Sequence, residues 1–184
     1  TTASNNVAVG YYALSDNTTG TRNTAVGNYA LDANTTASEN SAFGYNALTD
    51  NTTGTYNTAI GREALANNTT ADSNTAVGNS ALTTNITGAS NTAVGSYALG
   101  NNIASNNTSV GFSALIACTT GTQNVAVGAL ALDAVTTGSY NTAVGYNALT
   151  ASTAEYNTAV GRGAMQSNTT GGHNTAVGNA ALLN

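Results

Sequence analysis

Large apolar residues recur along this chain in two stripes with a period of 16 or 17 residues, separated mostly by Asn, Thr, Ser, Gly and Ala. The first stripe always stands one residue before a glycine and comprises Val9, Val26, Phe43, Ile60, Val77, Val94, Val110, Val127, Val144, Val160 and Val177. The second stands five residues later and comprises Leu14, Leu31, Leu48, Leu65, Leu82, Leu99, Leu115, Leu132, Leu149, Met165 and Leu182. So regular a spacing indicates one structural unit per period.

The repeating cell reads Asn-Thr-Ala-Val-Gly, two variable residues, Ala-Leu, and then a looser Asn-Thr-Thr-Gly segment. The period is too short for the pairs of helices found in helical repeats, which take roughly 30 residues or more. It suffices for two short strands and two turns. We therefore predict an all-β fold, a β-solenoid of stacked coils. It would have eleven coils of 16–17 residues, two short strands per coil, and a single repeat domain over residues 1–184.

The alternation of side chains in a strand predicts which residues of the cell share a face, because residues two apart point to the same side. The residue before the glycine is apolar in every coil, so we expect it to face the core together with the Leu stripe. The residue two positions earlier, usually Thr but Val at Val7 and Val125, would point inward as well. The Ala between them would then face outward against a close neighbour, and the glycine would serve a bend or a close backbone contact.

An asparagine opens the cell in every coil and forms a predicted structural column. Its members are Asn6, Asn23, Asn40, Asn57, Asn74, Asn91, Asn107, Asn124, Asn141, Asn157 and Asn174. Stacked amides could bond to one another along the solenoid axis. Alternatively, each asparagine caps only its own turn. The sequence leaves both structural roles open.

Charge limits the classes of partner. Charged residues make up 6% of the chain, the net charge is −5, and three arginines are the only cations apart from the single histidine. A surface that follows nucleic-acid phosphates needs clustered Lys and Arg, so we expect no nucleic-acid partner. No apolar run approaches the roughly 20 residues of a membrane span, so we expect no membrane insertion. Cys118 is the single cysteine and cannot form an internal disulfide.

No group of residues predicts catalysis, a metal site or a cofactor, and we expect the chain not to be an enzyme. His173 stands in a slot that varies between coils, which predicts exposure to solvent. The carboxylates are scattered over several repeat positions and form no regular acidic column. The nine tyrosines occupy variable slots, where they could stack on sugars or pack between coils or subunits.

The predicted core is thin, since each coil offers only one Val and one Leu as large apolar groups. Burying both contributes about 4 kcal/mol at best, and ordering the backbone of one coil costs more. We therefore expect a homo-oligomer, most simply a trimer around a common axis. The repeat is also uncapped at both ends, and Leu182-Leu183-Asn184 followed by Thr1-Thr2-Ala3 would complete an outer turn. This predicts end-to-end stacking into a filament, or continuation within a longer chain.

The repeated cell, from Asn6-Val7-Ala8-Val9-Gly10 to Asn174-Thr175-Ala176-Val177-Gly178, resembles the head repeats of YadA-like trimeric autotransporter adhesins. It is similar also to repeats of phage tail fibres. The resemblance implies a left-handed parallel β-roll, usually trimeric, on a cell surface or a virion fibre. The adhesin heads use a somewhat shorter repeat, with an aliphatic residue where this chain has Thr, and no stalk, neck, anchor or chaperone domain accompanies the repeats here.

Two functions follow as hypotheses. The first is a structural or adhesive fibre module, extracellular or at the cell surface, that associates with itself and can contact a host surface or glycan. The alternative is a ligand-binding solenoid for ice or carbohydrate. Threonine columns such as Thr58, Thr75 and Thr92 motivate ice binding. The expectation that these threonines point inward beside a core Val argues against it.

Overall fold

The computed structural model describes residues 2–183 and contains strands and turns but no helix in that range. It has eleven strands of three residues each, and we number the coils by the strand that each one contains. The strands are β1 (Val7–Val9), β2 (Thr24–Val26), β3 (Ser41–Phe43), β4 (Thr58–Ile60), β5 (Thr75–Val77), β6 (Thr92–Val94), β7 (Thr108–Val110), β8 (Val125–Val127), β9 (Thr142–Val144), β10 (Thr158–Val160) and β11 (Thr175–Val177). Thr1 and Asn184, on which the predicted joining of the two ends depends, lie outside the described residues.

All eleven strands form one parallel sheet in chain order. Each strand pairs in register with the equivalent strand of the next coil, as Thr75 does with Thr92 and Val77 with Val94. The Thr75 N–H donates to the Asn91 carbonyl at 2.8 Å, and the Gly95 N–H donates to the Val77 carbonyl at 2.7 Å. The predicted β-solenoid is confirmed, and neighbouring coils are offset by about 4.8 Å, the spacing of paired strands.

Each coil contains one strand, so the second of the two strands predicted per coil is not formed, and the Ala-Leu segment is not extended. This segment instead folds into successive turns, closed in coil 5 by hydrogen bonds from Ala81 N to Gly78 O at 3.4 Å and from Asn85 N to Leu82 O at 3.1 Å. Ser80 and Leu82 have φ angles of 53° and 51°, in the left-handed region. Such angles are incompatible with a strand. Coil-to-coil bonds such as Leu82 N to Ala98 O, at 3.0 Å, support the turn backbone.

The structure requires the glycine that directly follows each strand. In coil 2, Gly27 has a φ of +139°, and a Cβ at this position would lie 2.3 Å from the carbonyl oxygen of Gly44. Both the backbone angle and the close stacking on the next coil therefore require the absence of a side chain. The expectation of a bend and a close backbone contact at this position agrees with the structure.

The assignment of the first apolar stripe to the core is wrong. Val9, Phe43, Ile60, Val94, Val110, Val127, Val144 and Val177 are exposed, from 36% at Val127 to 71% at Val177, and Val26, Val77 and Val160 are only half-buried. The alanine between the two columns faces the lumen instead, as Ala25, Ala59 and Ala76 do at 0% exposure. The threonines thus point outward with the valines.

The second apolar stripe does lie in the core. From Leu14 to Met165 all of its members are buried, and only Leu182, in the last coil, is half exposed at 52%. Together with the preceding alanines, such as Ala81, these side chains meet the strand alanines across a narrow lumen. Because the turns deliver leucine and asparagine into this space, only a small side chain fits on the strand side, alanine in most coils and Ser109 in coil 7. That is the physical reason for the inverted strand.

Candidate functional site

The outward side of the sheet, which we call the strand face, carries two parallel columns of side chains. One is the column of exposed and half-buried apolar residues from Val9 to Val177 described above. The other comprises Val7, Thr24, Ser41, Thr58, Thr75, Thr92, Thr108, Val125, Thr142, Thr158 and Thr175. No member of either column is charged. In-register pairing repeats these side chains every 4.8 Å or so along the axis. The strand face is therefore a regular, uncharged and largely apolar surface.

The asparagine that opens each cell lies at one margin of the sheet and bonds to the backbone of the next coil. In coil 4, the side-chain Oδ1 of Asn57 accepts a hydrogen bond from the Asn74 N–H at 3.0 Å. Its Nδ2 donates to the Ala71 carbonyl at 2.8 Å. Equivalent bonds recur from Asn6 to Asn174. Neither proposed role describes this arrangement fully, because the amide joins coils through their main chain.

A second asparagine column lies inside the turns. It belongs to the Asn-Thr-Thr-Gly segment, which the repeat pattern predicts as an outer turn. Asn17, Asn34, Asn51, Asn68 and Asn85 form a ladder in which each Nδ2 from Asn34 onward donates to the Oδ1 of the preceding coil, at 2.9–3.2 Å. All but Asn17 are fully buried. The amide ladder considered for the first column therefore occurs mainly in this one. Among the described residues of the first column, only Asn107, Asn124 and Asn141 also bond amide to amide, at 3.2–3.3 Å. The sequence contains a signal for the second column, because an asparagine recurs at a fixed place in the Asn-Thr-Thr-Gly segment.

Both asparagine columns converge on the same carbonyl groups. The Gly54 carbonyl oxygen accepts from Asn40 Nδ2 at 2.8 Å and from Asn51 Nδ2 at 2.9 Å. The ladder ends at Asn85, whose Oδ1 is buried without a partner, because the following coil is one residue shorter. Asn102 occupies the equivalent buried position in that coil, and Cys118, Val135 and Ser152 follow it in the next three coils. The turn column thus tolerates substitution, whereas the column that opens the cell is asparagine throughout.

Cys118 belongs to this interrupted part of the ladder and is fully buried. Its Sγ–H donates weakly to the Gly121 carbonyl, at 3.4 Å. Burial raises the pKa of the thiol to about 11, well above its ordinary value. Because the thiolate is the nucleophilic form, Cys118 is unreactive near neutral pH in the folded chain.

Exposed aromatic rings stack at the margin of the sheet. The rings of Tyr140 and Tyr156 are parallel with centroids 4.8 Å apart, and the imidazole of His173 continues the stack at 4.8 Å from Tyr156. His173 is exposed, as the variability of its slot predicts. A second cluster near the other end joins Tyr11, Tyr12 and Tyr29, with Tyr12 stacked on Tyr29 at 5.8 Å. Apart from the Tyr11–Tyr12 contact, which lies within one coil, each of these contacts joins neighbouring coils.

The carboxylates are dispersed, and residues 2–183 contain no group of three or more His, Cys, Asp or Glu side chains that could hold a metal ion. Two surface ion pairs join Arg22 to Glu39 at 2.6 Å and Arg62 to Glu63 at 2.7 Å. Burial raises the pKa of Asp50, and the nearby charge of Asp32 raises it further. Burial also raises the pKa of Asp133.

A groove of about 320 Å³ opens at the corner between the strand face and the turns of coils 9 to 11. We call it the corner groove. Its lining consists of Tyr146, Asn147, Arg162, Gly163, Gln166, Asn179, Ala180 and Leu183. Arg162 is exposed and, unlike Arg22 and Arg62, has no carboxylate within ion-pair distance among the described residues. The sequence reading did not identify this groove, because it depends on small residues at two successive coils.

No family model, curated protein or solved structure matches the chain. Within the part of the chain that the structure describes, no helix has the length and apolar character needed to cross a membrane.

Proposed function

We propose that this chain is a structural module of an extracellular or cell-surface fibre, and that the strand face is where its subunits assemble. The observation that supports this most directly is the outward orientation of the apolar column. A branched or aromatic apolar side chain stands on the surface in every coil, at a fixed spacing and without any charge beside it on the strand. Contiguous exposed apolar surfaces of this kind mark interaction sites.

Assembly would remove this surface from water. Covering the exposed half of one valine contributes about 1 kcal/mol, since complete burial of such a side chain contributes roughly 1.5–3 kcal/mol. The same contact recurs in each coil, so the contribution grows with the length of the rod. The resemblance to the adhesin heads favours three subunits around one axis, with the three strand faces meeting there. The left-handed sense of the roll stays a prediction of that resemblance.

We further propose that the rod is extended by stacking of coils. In the described residues, β1 and β11 are the edges of the sheet, and each pairs on one side only. The backbone groups on the other side are suited to pairing with a further strand. That strand can come from the same polypeptide or from another subunit. Such a rod presents its variable corners, rather than the strand face, to a host surface or glycan.

Distances between spin labels test the assembly. The native cysteine is first removed by Cys118→Ser, which introduces the residue that coil 9 carries at the same position, Ser152. A single spin label is then attached through Val94→Cys on the strand face. The matched control label is attached through Thr87→Cys, an exposed turn residue of the preceding coil. We expect labels on Val94 of neighbouring subunits to lie within about 20 Å, because packed sheets are roughly 10 Å apart. Labels on Thr87 should be clearly farther apart, and the reverse order would contradict the proposal.

Ice binding is a second candidate, because the structure removes the objection to it. The threonine column points outward beside the valine column, so the strand face presents hydroxyl and methyl groups in a regular array. Ice binding requires the strand face to be exposed to solvent rather than covered by other subunits. The test is freezing hysteresis of the chain, compared with Thr92→Glu on the strand face and Thr87→Glu in the turn. Hysteresis lost only in Thr92→Glu would favour ice binding over assembly, and its absence from the wild-type chain would reject it.

A further inference from the structure

Coils 4 and 10 carry an arginine at the same place in the repeat, one residue after the glycine, but they treat it differently. Arg62 is followed by Glu63, and the two side chains form an ion pair of 2.7 Å. Arg162 is followed by Gly163, so the chain neighbour supplies no carboxylate. Arg162 instead lines the corner groove. It is a cation that the fold exposes without neutralising it among the described residues.

The replacement that removes the carboxylate also opens the groove. The position of Gly163 carries Tyr12, Tyr29 and Tyr97 in other coils, all with left-handed φ angles near 59°. Gly163 has the same conformation, with a φ of 62°, so a side chain is compatible with this backbone. The next coil has Ala180 there. Two successive small residues therefore leave a cleft of about 320 Å³ at a position where coils 1, 2 and 6 carry a tyrosine.

The remaining walls supply groups that suit a sugar. Tyr146 is 49% exposed and offers an aromatic ring at one side of the groove. Asn147, Gln166 and Asn179 bring amides, each able to donate and to accept hydrogen bonds. The Oδ1 of Asn147 is buried and has no hydrogen-bond donor among the described residues. None of the eight lining residues is acidic. The cleft is at the lower end of the volumes found for small-molecule sites.

We propose that the corner groove binds a carboxylated sugar, such as a uronic acid unit of an acidic glycan. The Arg162 guanidinium would hold the carboxylate through paired hydrogen bonds, which its planar fork allows. The ring of Tyr146 would cover the apolar side of the sugar, and the amides would bond its hydroxyl groups. This inference rests on the proposed adhesive role and names the class of glycan that the fibre would contact.

Calorimetric titration of the 184-residue chain with glucuronate, glucose and acetate tests the proposal. We expect glucuronate to bind at least tenfold more tightly than either glucose or acetate, because only glucuronate combines the carboxylate with the hydroxyl groups. Equal binding of glucuronate and acetate would reduce the site to an exposed cation and overturn the sugar. Equal binding of glucuronate and glucose would overturn the role of Arg162. No binding of glucuronate would overturn the proposal as a whole.

Three variants locate the binding site. Arg162→Gln should reduce glucuronate affinity at least tenfold, and Gly163→Tyr should abolish binding by filling the cleft with a side chain that other coils already carry there. Arg62→Gln is the matched control, because it removes a paired arginine from the same repeat position and should leave affinity unchanged. Thermal unfolding of each variant reports whether it folds. Unchanged affinity in folded Arg162→Gln and Gly163→Tyr would contradict the assignment.

Sedimentation of the same samples separates this proposal from the fibre. An oligomer that does not bind glucuronate would reject the sugar site and leave the assembly proposal standing. A monomer that binds glucuronate would reject assembly through the strand face and leave the groove assignment standing.

Discussion

The two walls of each coil differ in what they bury. The strand wall sends only a small side chain into the lumen, usually an alanine methyl. It places its threonine and branched apolar side chain outside, as Ala76 and Val77 show. The turn wall buries leucine and asparagine, such as Leu82 and Asn85, and exposes Thr and other small polar residues. Both walls have backbone hydrogen bonds to the next coil, so the difference lies in the side chains.

This difference distinguishes the residues that stabilise the fold of one chain from those that we propose to make contacts between subunits. Leucines and asparagines of the turn wall fill the lumen and link the coils, so the fold of one chain depends mainly on them. The strand wall carries apolar groups in excess of what the lumen can hold. A solenoid that needed these groups only for its own stability would point them inward. Their outward orientation is the reason to assign them to contacts with other subunits.

The largest contrast between the walls should appear in a pair of truncations. Leu82→Ala should lower the free energy of unfolding by about 2–5 kcal/mol, because it leaves a cavity in the lumen. Val77→Ala, measured under dissociating conditions, should cost only about 1 kcal/mol, because the lost methyl groups are half exposed. Denaturant unfolding measures both variants. Equal costs would remove the distinction between the walls.

A smaller contrast concerns the two asparagine columns. Asn57→Ala leaves the buried N–H of Asn74 without its acceptor, which costs about 1–3 kcal/mol. Asn17→Ala leaves no buried group unpaired, since the Gly20 carbonyl still accepts from Asn6 and the ladder amide above it keeps a second acceptor. Its cost should be about 1 kcal/mol, because the two hydrogen bonds that it removes leave every partner bonded elsewhere. Thermal unfolding under identical conditions compares them, and a larger loss for Asn17→Ala would refute the assignment of the two columns.

The smallest effect concerns Cys118, buried in the turn wall. The folded-state pKa of about 11 lies above the ordinary value of 9.0. The proton is therefore retained in the folded chain while the unfolded chain loses it. This contribution to stability is fully present below pH 9.0 and is lost as the pH rises towards 11. Iodoacetamide at pH 8 should label the folded chain far more slowly than the urea-unfolded chain, and equal rates would contradict the burial.

The period and the cell predicted the solenoid, the leucine core and the close stacking at glycine, because these follow from repetition. The strand orientation could not be obtained from the same pattern. Val77 and Leu82 are both periodic and apolar. Periodicity alone does not distinguish a side chain that faces the lumen from one that faces outward. The width of the lumen decides between them, and it depends on Leu82 adopting a left-handed backbone conformation. Such a conformation is rare for leucine, so the sequence does not predict it.

The corner groove escaped prediction for a different reason. It arises where Gly163 and Ala180 depart from the column, beside an arginine at a position that is Tyr146 in the preceding coil and Asn179 in the following one. A repeat consensus averages over such departures. Sites of this kind are found by comparing each coil with its neighbours, as Arg62 with Arg162, once the structure shows which positions adjoin.

The central claim, that the strand face is buried between subunits, is tested most directly by sedimentation equilibrium of the wild-type chain and of Val77→Asp at micromolar concentration. One chain has a mass of 18.1 kDa. We predict a wild-type species of three times that mass. Val77→Asp should remain folded, because its carboxylate points to solvent in the isolated chain, but it should sediment as a monomer. A wild-type monomer, or a Val77→Asp variant that assembles as the wild type does, would contradict the claim.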